Sequence, residues 1–273
     1  MNKLFRAECY KLHNSFYRNF YISYLAFYLL YPVFFWFFGR YHAEMAMRTY
    51  TGVDFLCSMP HYLEYAWIWL PILCSKYVSN DLTYCSYMSC FFSGFSRSKM
   101  ISVKILFYYC MCIPLWILHT IVFPLVWSII GKKGLGIGGE SIHTYYYIRY
   151  FGNYITDIRS SESVLLLKVI IFSGLSFFLF ASVVFVISIF SESRMLTTLL
   201  SFIIIVVPRE GIGMIFQPSE KHTTFFHKVL YAGFTINIYT YSSTMTVVLC
   251  TIYILMTALL IVTSVLKIRH MDF

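Results

Sequence analysis

Charge is what this 273-residue chain has least of: Asp, Glu, Lys and Arg together make up 12% of it, and only twelve of its residues are acidic. A soluble domain of this length carries about a quarter charged residues, so a water-facing surface of ordinary polarity is excluded. Catalytic clusters are missing too. There is no H-E-x-x-H, the histidines are scattered at 13, 42, 61, 119, 143, 222, 227 and 270, and no compact His/Asp/Glu group stands at a membrane edge. An integral membrane enzyme is therefore the least supported class. Apolar runs free of paired acids also argue against a proton-coupled carrier, which relays protons through intramembrane carboxylates. The eight cysteines fall mostly in apolar runs, and only Cys57 is expected to face outward, so a disulfide framework is not expected. Cys110 and Cys112, two apart on a helix, diverge and do not form a metal pair.

One glycine-rich stretch, Gly134-Leu-Gly136-Ile-Gly138-Gly139, has the G-x-G-x-x-G spacing, but an apolar run precedes it and a Tyr-rich connection follows. A dinucleotide site needs a strand before and a helix opening inside, and no G-K-[ST] makes this a Walker loop. A loop is the better reading. No nucleotide or other cofactor site is expected in this chain.

Apolar side chains are what it has in excess. They make up 59% of the chain, mean hydropathy is +0.69, and 27 Phe, 24 Tyr and 5 Trp supply the amphipathic rings that favour headgroup belts. Lipid must cover what one compact core cannot. The net charge of +9 sits in short connections between apolar runs, which points to the membrane surface and not to nucleic acid.

The expected class is all-α: a polytopic membrane protein with six transmembrane helices. Residues 1–19 can form an amphipathic interfacial helix, with Leu4, Phe5, Cys9, Leu12 and Phe16 on the apolar face turned to lipid, and Lys11 and Arg18 extending toward headgroups. No cleavable signal is expected, because the run at 20–38 is long and lacks a small-residue cleavage site. Spans are expected at about 20–38, 61–78, 105–130, 164–190, 195–216 and 244–266, forming with their connections one transmembrane domain over 20–273. The fifth is interrupted by Pro208-Arg209-Glu210-Gly211 and is either broken or re-entrant. Six spans place both termini on one side. Lys and Arg divide nearly evenly between the two sides, but acids fall mostly on the other side, so the ends are expected in the cytoplasm.

Several charged or polar residues are candidates for a path or gate: Glu64, His119 and Lys168 in or near spans, and Arg209 with Glu210 at the break. Each has an ordinary alternative, as a headgroup contact or a helix-packing residue.

The segment 79–104, SNDLTYCSYMSCFFSGFSRSKMISVK, lies between the second and third spans. On a helix, Tyr84, Met88, Phe91, Phe92 and Phe95 share one side, Ser86, Ser89 and Ser93 another, with Asp81 near the start and Arg97, Lys99 and Lys104 near the end. Such a helix can lie on lipid or fill a groove in a partner.

In these features the chain resembles the small permeases of ABC-2 type transporters, bacterial exporters whose cytoplasmic connection between spans two and three docks on the ATPase. That connection typically begins with Glu, passes a Gly-Thr pair, and closes with Pro-x-Ser-Arg and a following Lys. Here Asp81 stands at the Glu position, Ser96 and Arg97 at Ser-Arg, and Lys99 and Lys104 at the basic positions. Cys85-Ser86 replaces Gly-Thr, and Gly94 replaces Pro. The resemblance implies an N-terminal elbow helix, a cytoplasmic coupling helix, a location in a bacterial cell membrane, and a second permease, identical or related. It also implies two ATP-binding subunits holding ATP and Mg. Docking would then use Asp81, Tyr84, Met88, Phe91, Phe92, Phe95, Arg97 and Lys99, with the short turn at Glu192 and Arg194 as a second contact. The implied cargo is an antimicrobial or amphipathic peptide or another lipophilic molecule, exported or countered as in bacteriocin immunity. The competing reading is a membrane anchor or sensor that recruits an ATPase without moving cargo.

Overall fold

A computed structural model describes residues 2–13, 15–38, 69–79, 94, 96–122, 162–191, 193–206 and 243–269, and every regular element among them is helical. They are α1 (Asn2–Leu12), α2 (Ser15–Phe38), a π-helical turn π1 (Ser75–Ser79) that ends helical residues 69–74, α3 (Arg97–Ile117), a second π-helical turn π2 (Leu118–Val122), α4 (Glu162–Ser191), α5 (Arg194–Val206) and α6 (Ser243–Arg269). Three helical stretches are long and apolar enough to cross a membrane: Lys99–Val122, Ile170–Ser191 and Thr246–Arg269. These three, where the hydropathy pattern leads one to expect six, give among the described residues an all-α, multi-pass membrane-protein fold; α2, 24 residues long, is not one of them.

Contacts along the helices set their directions. Tyr21 donates its hydroxyl proton to Met111 O at 2.9 Å and Tyr24 donates to Leu115 O at 3.0 Å, so α2 and α3 rise together. The second helical segment runs the other way: Trp69 packs on Phe20, Tyr24 and Phe27, while Lys76 lies over the Phe16 ring. α4 is antiparallel to α3, with Trp116 against Phe178 near one end and Tyr108 against Phe185 toward the other. α6 descends beside α4, from Leu249 and Tyr253 at Phe172 to Lys267 at Phe190. One end of the bundle thus gathers α1, π1, the start of α3, the 191–194 turn and the end of α6.

The interior holds many hydroxyls. Ser176, Ser182 and Ser264 are buried, and each bonds to a carbonyl one turn back in its own helix, at 2.7, 2.7 and 2.9 Å. Self-satisfied small side chains let helices approach closely, and closeness rather than hydrophobicity holds helices together in lipid. α5 shows the inverted pattern most clearly, with Thr197 and Ser201 buried and Met195, Leu199, Phe202 and Ile203 exposed.

Pro114 cannot donate to Cys110 O, and the α3 helix passes into π2 four residues later. Tyr21 and Tyr24 deliver their donors to carbonyls on either side of this proline, stabilising backbone that water cannot reach.

Several boundaries differ from the hydropathy pattern. The interfacial helix ends at Leu12, where His13 N–H bonds Tyr10 O at 3.1 Å, and residues 15–19 belong to α2. α3 starts at Arg97 and not at Ile105, because the turn at Gly94 (φ +79°) and the extended Ser96 set its beginning, irrespective of where the apolar run starts. α5 is 13 residues, about 20 Å by helical rise, which is shorter than a bilayer core. Residues 207–216, like 39–68 and 123–130, lie outside the described residues.

Gly174 sits where a Cβ would come within 3.3 Å of Trp116 Cζ2. Gly174→Leu is expected to destabilise the purified protein by about 1–3 kcal/mol through overpacking. Adding Trp116→Leu should recover part of that loss, as read by thermal unfolding in detergent.

Candidate functional site

At the common end of the bundle, α1 does not turn its apolar face to lipid as its pattern suggests. Leu4 is buried, Phe5 packs edge-on against Phe107 of α3 at 5.5 Å, and Cys9 joins the main core. The reason is electrostatic. Glu8, on the same side of α1 as Leu4, is 7% exposed and carries its carboxylate into the junction of α1, π1 and α3.

Three groups meet that carboxylate. Lys11 donates to Oε1 at 3.1 Å from one turn on, and Tyr77 of π1 donates its hydroxyl proton to Oε2 at 2.9 Å. Lys104 of α3, 4% exposed, brings Nζ to 3.6 Å from Oε1. The same ammonium stands 4.3 Å from the centroid of the Tyr77 ring, a cation–π geometry, and Phe107 packs against that ring at 5.7 Å. One carboxylate thus faces two ammonium groups and one phenol, and the negative face of the phenol ring supports the more deeply buried cation. Charges this far from water persist only when paired in this way.

This clasp stands on both sides of the 80–96 connection. Tyr77 precedes it and Lys104 follows it, so a single residue of α1 fixes the two helices between which the connection runs. The 191–194 turn lies at the same end. Thr197 bonds back to Ser193 O through both its N–H (2.9 Å) and its hydroxyl (2.8 Å), and its hydroxyl also pairs with that of Ser191 at 2.6 Å, while α5 packs on π1.

Of the residues singled out from sequence, Asp81, Tyr84, Met88, Phe91, Phe92 and Phe95 lie outside the described residues, as do Glu192, Glu64, Arg209 and Glu210. Arg97 and Lys99 occupy the first turn of α3, with Lys99 exposed, and Arg194 opens α5, half-buried. His119 falls in π2 and Lys168 in the first third of α4. The structure adds Glu8, Lys11 and Tyr77, and it moves Lys104 from a basic loop exit to a buried position inside a helix. A signal existed for Glu8: it is the sole acid before Glu44 and stands one turn from Leu4 and three residues from Lys11. Cys110 is exposed and Cys112 buried, so the two diverge, and no group of three or more His, Cys, Asp or Glu among the described residues could hold a metal ion.

No family model, curated protein or solved structure matches this chain.

Removing one member of a buried pair leaves the other uncompensated, at about 3–5 kcal/mol. Glu8→Gln, which strands Lys104 beside Lys11, should therefore lower unfolding stability by about 3 kcal/mol, and Lys104→Met, which leaves Glu8 with Lys11 and Tyr77, by less. The double variant should be more stable than Glu8→Gln alone. Additive losses in chemical denaturation would contradict the pairing.

Proposed function

We propose that this chain is the six-span permease subunit of an ATP-driven exporter, working with a second permease, identical or related, and with two ATP-binding subunits that hold ATP and Mg. The chain itself supplies no hydrolysis in this reading. The carrying observation is the clasp: both helices that flank the 80–96 connection are fixed to one carboxylate, that of Glu8. A connection mounted on such a base can pass a push from a docked partner into α3 and the second span as one movement. A free surface loop would dissipate it.

In this reading the connection, with Phe91, Phe92 and Phe95 as its apolar contacts and Asp81, Arg97 and Lys99 as charged rim, fills a groove on the ATPase. The turn at Glu192 and Arg194 makes the second contact, from the same end of the bundle. The termini lie on that same, cytoplasmic side of a bacterial membrane. The fifth span is completed beyond α5 around the break at Pro208. The cargo is an amphipathic peptide or lipophilic molecule, whose class matches the apolar exterior of the helices it would pass.

Purification from native membranes under mild conditions, followed by mass spectrometry, should recover a Walker-containing ATPase in stoichiometric amount. Phe91→Asp and Phe92→Asp should each reduce that recovery at least tenfold while leaving membrane insertion intact. Undiminished recovery and export in these variants would refute the docking role. ATPase recovery without cargo-dependent hydrolysis or cargo movement in vesicles would instead identify an anchor or sensor.

A further inference from the structure

Placing Glu8 inside the clasp has a second effect, on the outside of the molecule. Glu8 is the only acid in the first 43 residues of the chain, and its carboxylate is buried. The exposed side of α1 therefore presents Lys3 and Arg6 with no acid between them, together with Tyr10 at 75% exposure, and Arg18 continues the basic surface onto α2.

The same end of the bundle repeats this pairing of cation and apolar side chain elsewhere on its circumference. Lys267 of α6 lies over the ring of Phe190, which is 57% exposed, at 5.5 Å. Lys76 lies over Phe16 at 5.4 Å, and Met195, at the first turn of α5, is 80% exposed. Each lysine thus sets its Nζ over an aromatic ring, and cations beside aromatic rings are the side chains favoured at a lipid headgroup boundary.

We infer that this end of the bundle is a collar that binds anionic phospholipid headgroups, with Lys3, Arg6 and Arg18 as its principal charges. Charge complementarity selects the occupant. An acidic protein surface would satisfy the cations but leave Phe190 and Met195 in water, whereas an anionic leaflet supplies phosphates for the cations and acyl chains for the apolar neighbours. Each basic residue near a negatively charged membrane surface is worth about fivefold in partitioning, so three suffice for a measurable lipid preference. The inference does not depend on the transport reading.

The test uses the full chain in nanodiscs of phosphatidylcholine alone or with one part in three phosphatidylglycerol, read by thermal midpoint and by the lipids retained in native mass spectrometry. The wild type should unfold at a higher temperature in the anionic discs and retain phosphatidylglycerol preferentially, and added salt should narrow the difference. Lys3→Gln/Arg6→Gln/Arg18→Gln should abolish the preference with an unchanged midpoint in phosphatidylcholine, and Lys3→Arg/Arg6→Lys/Arg18→Lys should preserve it. Equal behaviour of the wild type in both discs would overturn the inference. So would a triple Gln variant that keeps the lipid preference, including one that at the same time loses a co-purifying protein, which would assign the face to that protein.

Discussion

The buried carboxylate of Glu8 is the constraint from which the arrangement of this end of the bundle follows. Lys104 stands in a helix that enters the apolar layer, where an ammonium without a counter-charge costs several kcal/mol. The helix that brings Glu8 must pack on α3, which turns its apolar face inward and its basic face outward. Tyr77 completes the coordination from π1, its hydroxyl on the carboxylate and its ring under the ammonium. Three segments far apart in sequence are thereby held at one point, and the 80–96 connection is mounted between two of them.

Above that point the bundle follows the packing logic of lipid. Large apolar side chains face outward along α5 and α6, while hydroxyls lie within, those of Ser176 and Tyr108 bonded to backbone carbonyls. Tyr108 donates to Ala181 O at 3.1 Å and joins α3 to α4 as Tyr21 and Tyr24 join α2 to α3. The proposed function uses both halves of this design: a charged base that receives a push, and hydroxyl-linked helices that carry it past Pro114 and π2.

The all-α, membrane-crossing character was legible in the sequence because apolar excess and scarce charge are averages over the chain. Charged residues mark some helix limits directly: Glu162 opens α4, and Lys267 and Arg269 close α6, whose start at Ser243 has no charged residue beside it. The start of α3 was not legible in this way. Hydropathy places Lys99 and Lys104 outside the span, whereas the turn at Gly94 with extended Ser96, and for Lys104 a counter-charge from a distant part of the chain, place them inside the helix. The orientation of α1 was not legible for the same reason: periodicity shows which side is apolar but not whether lipid or protein covers it. Glu8 was visible as a letter, but its partners Tyr77 and Lys104 become neighbours only once the second and third helical segments pack.

The most direct measurement is cross-linking of α1 to α3 in the membrane. In an otherwise cysteine-free chain carrying Phe5→Cys and Phe107→Cys, replacing side chains whose rings touch at 5.5 Å, a short bifunctional thiol cross-linker in native vesicles should join the two helices in most molecules. Adding Glu8→Gln should sharply reduce the yield. If the two introduced thiols fail to join while the one on α1 is readily labelled from the lipid phase, α1 lies on the membrane and the clasp does not form.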